Sequence, residues 1–223
     1  MADYVRETIL SQGYAHIEMV SLTEQQKKDY EIAMIGYQEG RARVILGAGI
    51  KPEVRTKDGS LIVYTTVYGS LADALGDVKD DFMTALNGLY ASSKMLADAC
   101  ILESLFLSKA PRRSLKRSES RTGVIKAVKD LFDRVSFIAA NADERSVKKI
   151  MRMLDEMDTR IDFVDLQLTE QRDKQLVWGY FHPHLGELPK EPSIFAAARD
   201  KSGLQYYRSK VDGIKKKVKG LSA

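Results

Sequence analysis

The sequence predicts an all-α protein, an elongated helical bundle with a long αα-hairpin and one small β-hairpin insertion. Three observations carry that prediction. Apolar residues step by threes and fours through much of the chain, most regularly in its C-terminal half. Five prolines and 15 glycines in 223 residues leave little turn chemistry for an all-β fold. Only one short segment has the composition of paired strands.

From the N-terminus, residues 3–25 and 26–47 read as two helices, the second ending at Gly47-Ala48-Gly49. Val54-Arg55 and Leu61 to Val67 flank Lys57-Asp58-Gly59-Ser60, and Asp-Gly between β-formers signals a hairpin near 53–67. Leu71, Leu75, Val78, Phe82, Leu86, Leu89, Leu96 and Cys100 mark a third helical stretch that continues to Leu107 and stops at Pro111. These elements form an N-terminal helical region over 1–110. A basic loop follows over 111–122. The C-terminal region, 123–223, opens with the hairpin. Val124, Val128, Leu131, Val135 and Ile138 make one seam, and Val147, Ile150, Leu154, Met157, Ile161, Val164 and Leu168 make the other. The break at Asn141-Ala142-Asp143 is so short that the two helices must pack antiparallel. Pro183, Pro189 and Pro192 divide an irregular arm, and a basic terminal helix runs from Pro192 to Val218.

Composition narrows the class of function. With 44% hydrophobic and 30% charged residues the chain buries a core and is not disordered. A single cysteine, Cys100, forms no internal disulfide. No apolar run is long enough for a transmembrane segment, and Met1 to Arg6 lacks a signal-peptide pattern, so a cytoplasmic location is expected. The net charge is only +4, but lysines and arginines gather at 109–121 and 208–219. Arg112, Arg113, Lys116 and Arg117, with Lys215, Lys216, Lys217 and Lys219, are the candidate anion- or nucleic-acid-binding residues.

Catalytic chemistry finds no pattern. Gly47-Ala48-Gly49 lacks the third glycine of a dinucleotide fingerprint, since Pro52 holds its place and no helix follows. His182 and His184 straddle a proline, which is not a chelating spacing, and Cys100 lies on an apolar helix face. No cofactor, metal site or enzymatic activity is expected.

The helix over 26–47 has a finer texture. Small residues at Ala33, Gly36, Gly40 and Gly47 would admit another helix closely, and each glycine costs a lone helix about 1 kcal/mol. The string Gln26 to Gly40, with Ala33 and Tyr37-Gln38-Glu39-Gly40, resembles the second helix of the MIT (microtubule interacting and trafficking) domain, as in spastin and spartin. The resemblance covers residues 7–50, with Tyr14, Ile17 and Val20 on the family's first helix. Leu71 to Met95 would supply the third helix after an insertion over 51–68. It implies a three-helix bundle that takes helical tails of ESCRT-III proteins between its second and third helices. Tyr37, Gly40, Val44, Leu75, Val78 and Phe82 are then the candidate partner-binding residues.

These readings lead to a non-catalytic adaptor or assembly subunit whose long apolar seams are covered by a helical protein partner or by self-association. The alternative is a nucleic-acid-associated or coat protein using the two basic clusters, with weak contact to nucleic acid or an anionic membrane surface.

Overall fold

The computed structural model describes residues 8–222, apart from positions 19, 48, 58–59, 77–80 and 144–145 and the side chains at 196–197. It corrects the all-α class. Helices account for 68% of the chain and a four-stranded antiparallel sheet for 15%, so the fold is mixed α/β with helix dominant. Two compact units divide it, one ending at Lys126 and the other beginning at Ala127.

The first unit holds β1 (Ile9–Ile17), α1 (Glu24–Leu46), β2 (Lys51–Lys57), β3 (Leu61–Tyr68), a short α2 (Leu71–Leu75), α3 (Phe82–Leu107) and β4 (Leu115–Arg121). The sheet order is β2-β3-β1-β4. With α2 set aside, this is the split β-α-β arrangement, in which two helices cover one face of an antiparallel sheet. The expected hairpin is present as β2 and β3, within a larger sheet and not as an isolated ribbon. Its turn residues 58–59, like Val78, lie outside the described residues.

Two segments differ from expectation. The stretch read as a first helix is the central strand β1, and the basic loop carries the edge strand β4. Packing explains the first. The inward residues of β1 include Ser11, Gly13 and Ala15, because α3 passes close over the strand. A Cβ added at Gly13 would lie 2.6 Å from Thr65 Oγ1 and 3.0 Å from the Ala97 carbonyl oxygen. Polar ties replace bulk there: Ser11 Oγ donates to Ser93 O at 2.9 Å, and Ser93 Oγ donates to Leu10 O at 2.5 Å. A strand whose buried face is small and polar shows no apolar alternation. β4 is polar on both faces, and its place comes from pairing with β1.

Local chemistry sets the helix ends. Thr23 and Gln26 form a capping box at the start of α1, and Gly47 closes it at φ +89°. Asp81 caps α3 by accepting from Thr84 N at 2.9 Å. α1 lies beside α3, where Tyr30 Oη donates to Ser104 O at 3.2 Å, and is tied to β2 by Glu31, which accepts from Thr56 N and Oγ1.

α4 (Gly123–Asn141) runs into the second unit, which continues with α5 (Val147–Gln167), α6 (Gln171–His184), α7 (Ser193–Ala197) and α8 (Lys201–Leu221). The hairpin forms as α4 and α5. Its rungs Arg134–Glu156 and Arg160–Asp130 descend one helix as they climb the other. Val128, Leu131, Val135 and Ile138 on α4, and Ile150, Leu154, Met157, Ile161 and Val164 on α5, are all buried. Each contributes about 1.5 to 3 kcal/mol by leaving water. Trp178, Phe181 and Phe132 stack edge to face beside them. α8 closes the unit against α5 and α6.

Candidate interaction surfaces

The outer sides of α1 and α3 are unusual in what they expose. The buried positions of α1 are Tyr30, Met34, Gln38, Ala42 and Leu46. Two residues on, about 200° around the helix, come Ile32, Gly36, Gly40 and Val44, all exposed. Val44 is 87% exposed and Ile32 69%. On α3, Met95, Leu102 and Phe106 face outward at 60%, 64% and 76%. Both helices therefore carry apolar or small side chains on the sheet side and on the side away from it. On α3 this leaves a helix apolar on both sides, which ordinarily has both covered.

The residues singled out from the sequence spread unevenly over this surface. Tyr37, Gly40 and Val44 share the outer part of α1, with the Arg41 guanidinium 4.5 Å from the Tyr37 ring centroid. Leu75 is half-buried at the end of α2, and Phe82 is buried at the start of α3. A Cβ added at Gly36 or Gly40 would meet nothing within 4 Å, so close packing inside the unit is not what places glycine there. Sequence periodicity missed Met95, Leu102 and Phe106. Their signal is that apolar residues on α3 occupy more of its circumference than one buried face needs.

The opposite face of the sheet carries a second arrangement. Its side chains are Gln12, Tyr14 and His16 of β1, Ile62, Tyr64, Thr66 and Tyr68 of β3, and their partners on β2 and β4. Tyr14 and Tyr64 are direct cross-strand partners, with ring centroids 5.2 Å apart and planes tilted by 59°. Arg117 lies 5.8 Å from the Tyr14 centroid, and Lys57 lies 5.4 Å from that of Tyr64. Two polar pairs flank the rings along β1. Gln12 Nε2 donates to Thr66 Oγ1 at 3.0 Å, and His16 Nε2 meets Ser60 Oγ at 2.8 Å. Glu119 pairs with both Arg117 and Arg121, and their hydrogen bonds hold its carboxyl below the usual carboxylate range.

The basic clusters are dispersed by folding. Arg112 and Arg113 are exposed in a 3-10 turn before β4, and Lys116 pairs with Glu18 at 3.2 Å. Only Arg117, with Arg121, joins the open sheet face. On α8, Lys216 and Lys219 are exposed and Lys215 is half-buried. Lys217 is engaged inside the unit, 2.8 Å from Asp158 Oδ1 and 2.6 Å from Asp162 Oδ1.

Two further groupings have structural explanations. A groove of about 440 Å³ between α4 and α5 is lined by Arg134, Arg152, Arg160, Asp130 and Glu156, whose charges pair with one another. Ser136 Oγ, His184 and Glu187 come together at 3.0 to 3.3 Å. The Nε2 that would take a serine proton also faces the Phe132 carbonyl oxygen at 3.2 Å, and Glu187 competes for the same hydroxyl. That arrangement ties the end of α6 to α4. Among the described residues no group of three His, Cys, Asp or Glu side chains could hold a metal ion. No helix of the described residues is long and apolar enough to cross a membrane. No family model, curated protein or solved structure matches the chain.

Proposed function

We propose that the chain is a non-catalytic interaction protein that docks a protein partner on the outer face of α1 and α3. The observation that supports this reading is the set of five large apolar side chains standing in solvent on two adjacent helices: Ile32, Val44, Met95, Leu102 and Phe106. Scattered exposed hydrophobes need no explanation, but five on the two helices of one layer are more than scatter. Covering each would contribute about 1.5 to 3 kcal/mol of gross apolar burial, enough for docking once the cost of association is met. Flat helix faces with small residues between the large ones suit a helical partner, which could be a second copy of the chain.

The test places a photo-crosslinking side chain at Val44, where exposure makes the replacement harmless to folding, in the full chain within its native extract. One discrete adduct is expected. It should disappear when Leu102→Lys and Phe106→Lys are added, with the melting temperature held, because both sites are surface positions. Light scattering on the same pair of proteins tells a second copy from a different partner. An adduct pattern indifferent to the two lysines would remove the helical face from consideration.

A further inference from the structure

We infer that the open face of the sheet is a platform for single-stranded nucleic acid, on which Tyr14 and Tyr64 stack successive bases while cations at the two edges hold the phosphates. This surface is opposite the helical layer and stands or falls without it.

The argument starts from the pleat. Side chains on β1 and β3 alternate between two faces, and the helix-covered face takes Leu61, Val63 and Val67 with the small residues of β1. Among the described residues of the first unit no helix packs on the other face, and at its centre stand two tyrosines on adjacent inner strands, in direct register. Tyrosine favours strands for packing reasons alone, so rings by themselves decide nothing. The decisive feature is the company they keep. Each ring has a cation over it, Arg117 from edge strand β4 over Tyr14 and Lys57 from edge strand β2 over Tyr64, so a stacking base takes the cation's place and frees it for a phosphate. Base stacking on an aromatic ring with cations along the flanking backbone path is how single strands are held without reading a duplex. The rings, 5.2 Å apart and tilted by 59°, are close enough for one short single strand to reach both. Gln12 and His16 lie two residues either side of Tyr14 and offer hydrogen-bonding groups to base edges. A duplex hides its base faces and cannot use the tyrosines.

Glu119 makes the site testable in two directions. It holds Arg117 and Arg121 at once, so it competes with a phosphate for both. Removing its charge releases two guanidinium groups beside the platform.

The experiment titrates the full chain into fluorescein-labelled single-stranded RNA, single-stranded DNA of the same sequence, and the DNA duplex, from about 50 to about 300 mM salt. Both single strands should bind more tightly than the duplex, and a preference for one of them identifies the sugar the platform accepts. Tyr14→Leu and Tyr64→Leu should each weaken single-strand binding by about fivefold to about a hundredfold. Lys57→Gln should lower the slope of log affinity against log salt by about 0.7. Glu119→Gln should tighten binding and steepen that slope. Glu119 is itself half-buried, but glutamine keeps its shape, so this variant keeps the test valid if a tyrosine variant is destabilised. Equal affinity for strand and duplex, absence of binding at the lowest salt, or a Glu119→Gln variant no tighter than wild type would each overturn the platform.

Discussion

Gly123 holds φ at +48°, and a Cβ there would overlap the Ile9 carbonyl. No flexible side chain is available to move aside, because the obstruction is backbone. Gly123→Ala should therefore cost about 2 to 4 kcal/mol, read as a fall in the denaturant midpoint. Gly40 is the opposite case. It sits inside α1 with open space around it, so its glycine brings flexibility and no packing gain. Gly40→Ala should raise stability by about 0.5 to 1 kcal/mol. A loss of stability there would mean that the exposed side of α1 is already covered in the free protein.

At the scale of elements, α5 is pinned from two sides. Its apolar seam is dry, with Leu154 fully buried. Leu154→Asp would place a charge with no partner in that seam and cost several kcal/mol, a large share of about 5 to 15 kcal/mol for a whole domain. Its polar side meets α8 through Asp158, which accepts from Lys210 and Lys217 at 2.8 Å each. Burial alone would raise the Asp158 carboxyl, but hydrogen bonds from the two lysines and their charges outweigh it and hold the group below the usual carboxylate range. The two lysines are held above theirs. At Lys210 the Asp158 hydrogen bond leads, and at Lys217 burial opposes but Asp158 and Asp162 prevail. A depressed acid contributes stability above its unfolded pKa of about 3.9 and loses it as pH falls through the lower folded value. A raised lysine contributes in full below about 10.4 and loses it as pH rises through the higher folded value. The α5–α8 contact should thus be pH-insensitive between those limits. Urea midpoints should fall more steeply below about pH 4 in wild type than in Asp158→Asn, by about 1 kcal/mol after allowance for solvent screening. Parallel acid limbs in the two proteins would show that Asp158 is not energetically coupled to α8.

For the molecule as a whole, each unit carries its own reporter. Trp178 is the one tryptophan and is fully buried in the second unit, where its Nε1 donates to Asp165 Oδ1 at 3.0 Å. Cys100 is the one cysteine and is buried in the first, where burial pushes its thiol up to about 11. A thiol so placed is neither exposed nor ionised near neutral pH and should react with a thiol reagent only when the first unit opens. Gly123→Ala should speed Cys100 labelling, and Leu154→Asp should shift the Trp178 fluorescence transition to lower denaturant. A variant that left the reporter of its own unit unmoved would show that the substituted residue is not part of that unit's cooperative core.

The sequence by itself determined α1, α4, α5 and most of α3, but not α6, which runs through Pro183, and it read β1 as a helix. The seams of α4 and α5 were legible residue by residue, as were the end of α1 at Gly47 and the pairing of β2 with β3 around a short turn. All of these rest on contacts between residues close along the chain: the hydrogen bond four residues back, the cap three residues on, the strand that returns at once. The class of the fold was not legible, because β1 and β4 became strands through partners about 50 and 100 residues away. Nothing local favours a strand in Gly13 and Ala15, kept small so that α3 can approach, or in Lys116 to Arg121, polar on both sides. The candidate surfaces divide in the same way. Tyr37, Gly40 and Val44 could be named from α1 alone, whereas Met95, Leu102 and Phe106 stand out only once the sheet shows which side of α3 is already buried. Tyr14 and Tyr64 became neighbours only because a sheet register, specified by which side chains face the core, brought distant segments opposite one another.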